Sequence, residues 1–250
     1  MYLSCLLVDL GDNPDRLRPG RLWIRNLYRV HQRLCMAFPS ADRAEKDGDF
    51  LQPYEPDDFA CGHVHVRRRE DAGFLFRIDP GLAGRGIILV QSAIEPDWDY
   101  AFHNACGLLT GAPQCREYNP EFATGQKVRF RLMANPTRRL SKNSIGPDGE
   151  VVTERWVGKR VPVANDQLGE WLALKVAAWA QVDNDKLTVR PGYVSVAKNE
   201  TGLKEKFRSA LYDGVMTITD PSGCLAAVQS GIGSAKAFGF GLVSMRPMEG

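Results

Sequence analysis

Apolar residues in the first forty positions predict one strand followed by one amphipathic helix. The strand is the run at 1–9, and two prolines within 11–20 predict a loop after it. Over 21–38 the apolar side chains recur every three or four residues, which predicts a single helix that Pro39 ends. The predicted buried stripe consists of Trp23, Leu27, Val30, Leu34 and Phe38.

The remainder of the first half alternates between polar stretches and short apolar ones. The predicted elements are a long polar loop at 40–60, strands at 61–69, 74–78 and 87–90, and a short helix at 100–109.

A second round of elements begins at 127, where a strand places apolar and basic side chains on opposite faces. Val128, Phe130 and Leu132 share one face, and Lys127, Arg129 and Arg131 share the other. The further predicted elements are an insertion at 141–163 with a hairpin over 151–163, a helix at 166–180, strands at 192–197 and 215–219, a short helix at 221–229 and a last strand at 240–245.

The order strand, helix, strand, strand, helix, strand characterises the ferredoxin-like arrangement. The second half of the chain has this order, and the first half repeats most of it. The sequence therefore predicts an α+β fold of two tandem ferredoxin-like (RRM-like) domains. Their expected bounds are 1–120 and 126–250, and the second domain also carries the inserted basic hairpin and a glycine-rich loop.

Composition describes an ordinary globular protein, whereas the distribution of charge is uneven. The 250 residues are 44% hydrophobic and 25% charged, with a formal net charge of only +2. Between 125 and 160, however, nine lysines and arginines stand against three acidic residues. Such an excess suits neutralisation of phosphates, although a solvated surface can carry it as well.

The cysteines and the start of the chain indicate the compartment. Six cysteines are scattered without a C-x-x-C pair, which is typical of reduced thiols in the cytoplasm. The apolar start lacks a basic region and reaches Asp9 within ten residues, so we expect a strand and not a signal peptide. No later run approaches the 18 apolar residues of a membrane span.

Tyr28 and His31 are the first candidates for acid–base chemistry. Their spacing of three places them on one flank of the predicted helix. A histidine can exchange protons near neutral pH with a ribose hydroxyl or a leaving oxygen, and a tyrosine hydroxyl can orient either group. A half-buried helix histidine that only forms a hydrogen bond is the structural alternative.

Cys61, His63 and His65 form a second candidate, because their alternation points all three to one side of a strand. They would suit zinc if a fourth ligand came from elsewhere, or they are polar side chains on an exposed strand. The acidic pairs at 57–58 and 97–99 lack the ordered set that a two-metal nuclease needs.

The segment 231–241 contains four glycines, Lys236 and two phenylalanines. Dense glycines let backbone N–H groups approach a ligand closely. The spacing matches neither a P-loop nor G-x-G-x-x-G, so the segment suggests a cradle for a nucleic-acid backbone or a turn without a ligand.

Four stretches in order resemble the CasE family, the endoribonucleases that cut CRISPR precursor RNA within the type I-E Cascade complex. They are Asn-Leu-Tyr-Arg-Val-His-Gln-Arg-Leu at 26–34, Arg-Leu-Met-Ala-Asn-Pro-Thr-Arg at 131–138, Gly-Lys-Arg-Val-Pro at 158–162 and the glycine-rich tail from Gly231 to Met245. The resemblance implies a sequence-specific, metal-independent enzyme that cleaves on the 3′ side of the repeat hairpin. The 2′-hydroxyl would attack the adjacent phosphate, leaving a 2′,3′-cyclic phosphate and a 5′-hydroxyl, and the enzyme would keep the product hairpin.

The resemblance also implies roles for individual residues, with no cofactor and no metal. The family's catalytic histidine and tyrosine fall on His31 and Tyr28, where His31 would act as general acid or base and Tyr28 would position the ribose. The expected partners are the CRISPR repeat RNA hairpin and other Cascade subunits, without a membrane. The residues expected to bind RNA are Arg129, Arg131, Arg138, Arg139, Lys159, Arg160, Lys204, Lys206, Gly231, Gly233, Ser234 and Lys236.

Two other functions fit some of the same residues. A non-catalytic subunit that binds an RNA hairpin would use the same basic surfaces with an inert Tyr28 and His31. A metal-dependent hydrolase would instead use Cys61, His63 and His65.

Overall fold

The structure is a computed structural model that describes residues 1–11, 19–38, 73–81, 84–142, 149, 151, 153–197 and 204–248. The predicted loop at 40–60 and the predicted strand at 61–69, with Cys61, His63 and His65, lie outside these ranges. The chain forms two compact units, and Met1–Asn119 makes up most of the first. The second consists of Pro120–Ser195, Glu205–Lys236 and Phe240–Gly250.

The first unit is a four-stranded sheet with helices packed against it. The elements are β1 (Tyr2–Asp9), α1 (Pro19–Trp23), α2 (Leu27–Cys35), β2 (Phe74–Pro80), β3 (Arg85–Ser92), α3 (Trp98–Phe102) and β4 (Gln114–Glu117). The strand order is β2-β3-β1-β4, and β1 pairs antiparallel with both β3 and β4. Alternate side chains of β1, Leu6 and Val8, enter the core with Val30 and Leu34 of α2.

The predicted single helix over 21–38 is wrong, because the chain forms two helices there. α1 ends at Trp23, and Asn26 takes an extended backbone with φ −113° and ψ 94°. Its side-chain Oδ1 accepts the backbone N–H of Tyr28 at 3.1 Å, so Asn26 caps the start of α2. The stripe itself is buried as predicted at Trp23, Val30, Leu34 and Phe38, while Leu27 is partly buried.

The predicted helix over 100–109 is also divided. α3 begins two residues earlier and ends at Phe102, and a separate 3-10 turn covers Cys106–Leu108. The Asp97 carboxylate accepts the Tyr100 N–H at 2.8 Å and fixes the start of α3. β4 follows, and all four of its residues are exposed, so it lacks the apolar alternation that predicts a strand.

The second unit is a five-stranded sheet. Its helices and strands are β5 (Lys127–Ala134), β6 (Thr137–Arg139), β7 (Arg160–Pro162), α4 (Leu168–Val176), β8 (Ala180–Val182), β9 (Thr188–Ala197), β10 (Lys204–Ile218), α5 (Pro221–Ser230) and β11 (Val243–Pro247). The order is β11-β5-β10-β8, and β9 also pairs with β10. Buried and exposed residues alternate along β5 as predicted, with Val128, Phe130 and Leu132 in the core.

Four predicted elements of the second unit have different bounds. The strand predicted at 192–197 is β9, which begins four residues earlier at Thr188. The helix predicted to reach 180 ends at Val176, and Ala180 opens β8. The strand predicted at 215–219 is the end of the fifteen-residue β10. The last strand starts at Val243 and not at 240.

Within the predicted hairpin over 151–163, the returning strand β7 pairs antiparallel with β6, which precedes the insertion. Leu140 and Val161 form a small buried cluster. The Leu140 N–H donates to the Lys159 carbonyl at 2.9 Å, and the Gly158 N–H donates to the Leu140 carbonyl at 2.8 Å. Burial of Leu140 together with Val161 therefore stabilises the pairing of β7 with β6, the strand that follows β5.

The two sheets share one arrangement. In each unit the opening strand lies between the last strand and the strand before it: β1 between β3 and β4, and β5 between β10 and β11. The fold is thus a mixed α/β structure with antiparallel sheets. Over the ranges that the structure describes, no helix has the length and apolar character to cross a membrane.

Gly20 determines how closely α1 approaches the first sheet. A Cβ at this position would overlap the Leu108 carbonyl oxygen and lie 2.7 Å from Val8 Cγ1. We expect Gly20→Ala to lower the free energy of unfolding by about 1–3 kcal/mol, because overpacking next to rigid backbone forces α1 outward. Denaturant unfolding measures this loss of stability. Gly111→Ala is the control, because nothing lies within 4 Å of a Cβ at that position. Equal stability of the two variants would contradict the close approach.

Candidate functional site

His31 lies on the half-buried flank of α2, and its imidazole ring is held from two directions. The ring stacks on Phe74 of β2 with centroids 5.4 Å apart and an interplanar angle of 27°. It also stacks on Phe76 at 6.5 Å and 22°. One helical turn later, Cys35 Sγ lies 3.5 Å from His31 Nε2. The aromatic rings of the sheet and the thiol therefore fix the plane and direction of the imidazole.

Tyr28 occupies the first turn of the same helix. Its backbone N–H is the group that Asn26 caps, so the cap sets the position of Tyr28 within the turn. Residues three apart in a helix have Cβ atoms about 5–6 Å apart. The structure thus keeps the two predicted catalytic side chains on one face of α2, and both are partly exposed.

Polar contacts at both ends anchor α2 in the first unit. The Trp23 Nε1–H donates to the Arg29 carbonyl at 3.3 Å. The Arg33 guanidinium donates to the Ala101 carbonyl at 3.0 Å and to Asn104 Oδ1 at 3.1 Å. These contacts join α2 to α1 and α3, and a helix fixed in this way can present a general acid or base in one position.

In the second unit, the glycine-rich segment and the Asn-Pro-Thr turn after β5 come together through side-chain hydroxyls. Ser234 Oγ lies 3.3 Å from Thr137 Oγ1, and Asn135 Nδ2 donates to Ser234 Oγ at 3.4 Å. The Arg160 guanidinium donates to Thr137 Oγ1 at 3.3 Å, and Trp171 Nε1–H donates to the Thr137 carbonyl at 3.1 Å. Residues from three of the four motifs therefore form one polar cluster.

Glycines in this segment adopt backbone conformations with positive φ. Gly231 follows α5 with φ 74°, and its N–H donates to the Ala227 carbonyl at 2.8 Å, so it ends the helix. Gly233, with φ 90°, lies against the Trp171 ring, where a Cβ would be 3.4 Å from Cη2. Ala235 has φ 59° although it is not glycine. The Lys236 ammonium donates to the Ser230 carbonyl, so this lysine contacts the end of α5.

Residues Ala237–Gly239 of the same segment belong to the first unit. A Cβ on Gly239 would lie 3.2 Å from Phe76 Cε2. Within that unit, Gly239 therefore contacts the ring on which His31 stacks.

The basic residues predicted to bind RNA differ in their surroundings. Arg129, Arg139, Lys159 and Arg160 are exposed, whereas Arg138 is partly buried. The Lys159 ammonium lies 4.3 Å from the centroid of the exposed Trp156 ring. Lys204 opens β10, and its side chain lies outside the described residues.

Arg131 differs from its neighbours because it forms an ion pair. Its Nε donates to Asp213 Oδ1 at 2.6 Å, and Arg190 donates to Asp213 Oδ2 at 2.6 Å. Partial burial alone would raise the pKa of Asp213, but the hydrogen bonds from the two arginines lower it below its ordinary value. The sequence pattern placed Arg131 on a basic face without indicating an acid opposite it.

A further aromatic and basic cluster was not predicted as a unit. Lys206 lies 4.2 Å from the centroid of the exposed Tyr193 ring, and Arg208 lies 5.1 Å from it. Arg208 also donates to the Tyr193 hydroxyl at 2.7 Å and to Asn165 Oδ1. The strand pairing of β9 with β10 brings these side chains together, and only knowledge of that pairing could have indicated it.

No group of three or more histidine, cysteine or acidic side chains with the geometry of a metal site occurs in the described ranges. Cys61, His63 and His65 are not among those ranges, so the zinc hypothesis for them stays a prediction.

Comparison with known proteins identifies several relatives. A family model described as CRISPR associated protein matches residues 1–247. The CRISPR-associated endoribonuclease Cse3 of Thermus thermophilus is 29% identical over 69% of this chain and 79% of its own. The CRISPR system Cascade subunit CasE of Escherichia coli is 26% identical over 99% of this chain and 100% of its own.

A solved structure has a similar fold. Thermus thermophilus Cse3, bound to an RNA representing a pre-cleavage complex, superposes with a TM-score of 0.66. It is 24% identical, and the match covers 98% of each chain.

Ionised Asp213 should stabilise the second unit in a pH-dependent way. The pKa of Asp213 is lower in the folded protein than in the unfolded chain. Its contribution to the free energy of unfolding is therefore complete when the pH is above the unfolded pKa of about 3.9, and it is lost as the pH falls through the folded pKa. We expect Asp213→Asn to lower the unfolding temperature at neutral pH, and the difference from wild type to shrink below about pH 4. Thermal unfolding from pH 7 to 3 measures this, with the exposed Asp166→Asn as the control. A difference that persists unchanged at low pH would contradict the assignment.

Proposed function

We propose that this chain, which belongs to the CRISPR associated protein family, is an endoribonuclease that cleaves CRISPR repeat RNA at the 3′ side of its hairpin. The observation that carries the proposal is the pairing of Tyr28 and His31 on one face of α2, with the His31 ring held by Phe74 and Cys35. A full-length relative, CasE, is a Cascade subunit, and Cse3 is an endoribonuclease.

We further propose that the two units are ferredoxin-like domains with bounds near 1–120 and 126–250. The strand order supports this, because numbering each unit's strands from its start gives the order 4-1-3-2 in both, with β8 and β6–β7 as additions to the second. The fold alone does not define the chemistry, which rests on the site.

The proposed reaction is an internal transfer at one phosphate. The 2′-hydroxyl oxygen forms a bond to phosphorus while the bond from phosphorus to the 5′-oxygen breaks, so the products are a 2′,3′-cyclic phosphate and a 5′-hydroxyl. One proton leaves the 2′-oxygen and one reaches the 5′-oxygen. His31 transfers one of these protons as general acid or base, and Tyr28 positions the ribose.

The stacked arrangement of His31 supports this role in a specific way. General acid–base catalysis requires a nitrogen directed at the reacting oxygen, and stacking on Phe74 and Phe76 restricts rotation of the ring. The proposal needs no metal, since basic side chains can neutralise the developing phosphate charge.

RNA binding is assigned to the second unit's basic and hydroxyl groups. Ser234, Thr137 and Arg160 form a cluster of donors suited to phosphate oxygens. Double-stranded RNA offers its shape and its phosphates more than readable base edges, so exposed cations such as Lys159 and Arg139 suit a hairpin stem. We propose that the product hairpin stays bound while the protein is part of a Cascade complex.

Replacing His31 tests the catalytic assignment. We expect His31→Ala to slow single-turnover cleavage of a repeat hairpin by about 10²–10⁴-fold, the usual contribution of one general acid or base. The affinity for RNA should change little, because one helix residue contributes little beside many phosphate contacts. A substrate with a 2′-deoxy nucleotide before the scissile phosphate should resist the wild-type enzyme.

The control is His103→Ala, which replaces an exposed histidine beyond the end of α3. Normal cleavage by a folded His31→Ala protein, or cleavage of the deoxy substrate at the same bond, would overturn the mechanism. RNA binding without cleavage by the wild type would instead support the non-catalytic hairpin-binding subunit.

Chelation tests the metal-free proposal separately. Cleavage by the wild type should continue at the same rate in excess EDTA, because the proposed proton transfers use side chains alone. Loss of cleavage on chelation that a divalent ion restores would contradict this, and stoichiometric zinc in the purified protein would favour Cys61, His63 and His65 as its ligands.

A further inference from the structure

The face of the second sheet that carries Lys127, Arg129 and Arg131 contains an arginine that no motif includes. In the antiparallel pairing of β11 with β5, Arg246 lies directly opposite Arg129. Directly opposite residues in such a pair project from the same face, with Cβ atoms about 4.5–5.5 Å apart. Both side chains are exposed.

The two arginines have no acidic partner among the residues that the structure describes. In the described part of the chain, Asp213 pairs with Arg131 and Arg190, and no ion pair includes Arg129 or Arg246. On the opposite side of Arg129, β10 presents Val215, which carries no charge. Like charges directly opposite each other destabilise a strand pair. An anion held between them would remove that repulsion.

The chemistry of the face favours phosphate over an acidic protein surface. Protein interfaces are enriched in aromatic residues together with methionine and arginine, and charged residues are depleted at their centres. The exposed aromatic side chains of the described ranges, Trp156 and Tyr193, lie on neither β5 nor β11. Arginine guanidinium groups bind phosphate oxygens through paired N–H donors.

We propose that Arg129 and Arg246 together bind one phosphate group of the RNA backbone, with Lys127 beside them. Arg131 has a different function in this arrangement, because its contact with Asp213 holds β5 to β10. The proposal depends on the RNA binding proposed above and extends it to a site outside the four motifs.

The first experiment uses inorganic phosphate and the protein alone. Sodium phosphate should raise the unfolding temperature of the wild type above that in sodium chloride of equal ionic strength, since binding to the folded state stabilises it. Arg246→Gln and Arg129→Gln should each reduce this increase. Lys186→Gln is the control, because Lys186 is an exposed cation paired with Asp183 on another turn. An equal increase in all four proteins would overturn the site.

The second experiment measures hairpin RNA affinity against salt concentration. The plot of log affinity against log salt concentration has a slope that depends on the number of phosphates contacted. If the two arginines share one phosphate, this slope should become shallower by the same amount, about one unit, in each single variant and in the double variant. Arg246→Lys should keep the slope but bind more weakly, since it retains the charge without the paired donors.

The outcomes distinguish failure of the arginine site from failure of the proposed endoribonuclease function. Unchanged slopes in variants of a wild type that binds RNA would overturn the arginine site and leave the endoribonuclease proposal intact. A salt slope that becomes shallower by about two units in the double variant would contradict the binding of one phosphate by both arginines. Absence of hairpin binding by the wild type would overturn both proposals.

Discussion

Packing of α2 against the first sheet is the constraint on which the candidate active site depends. The helix buries Val30 and Leu34 in the core, and that burial leaves only one flank for Tyr28 and His31. Asn26 sets where the helix starts, and Phe74 and Phe76 meet the imidazole on the flank. The placement of the candidate acid–base pair thus follows from hydrophobic burial and one capping hydrogen bond.

The second unit supplies donors and positive charge in a different way. Its strand alternation buries Val128, Phe130 and Leu132 and thereby directs the basic residues of β5 to the other face. The polar cluster at Ser234 arises where the chain turns after β5 and after α5, which are adjacent only in the folded structure. A regular sheet and an irregular glycine-rich turn therefore contribute different kinds of groups to the proposed RNA-binding surface.

The sequence predicted most elements of the fold because buried stripes and alternating faces leave a clear periodicity. The stripe of α2, the two faces of β5 and the helix at 221–229 are confirmed. The family resemblance drawn from four motifs is confirmed by the family model over residues 1–247. Periodicity could not reveal the break between Trp23 and Leu27, because the apolar spacing continues across it, while the Asn26 capping bond starts a new helix there. It also missed β4, whose exposed residues leave no apolar pattern, and the partner of β7, which tertiary contact with Leu140 decides. The pairing of Arg131 with Asp213 joins residues 82 positions apart and has no local signal.

Hydrogen bonds within the protein hold the glycine-rich segment in place without a ligand. Ser234 is joined to Asn135 and Thr137, and the Ile232 N–H donates to the Gly241 carbonyl at 2.9 Å. A loop that must become ordered on binding loses conformational entropy at that moment and binds more weakly as a result. Here that entropy is lost when the protein folds, so contacts with the proposed RNA ligand can contribute more fully to affinity. Slow release of a bound strand is the kinetic counterpart of this preorganisation, because affinity differences between related complexes arise mainly in the dissociation rate.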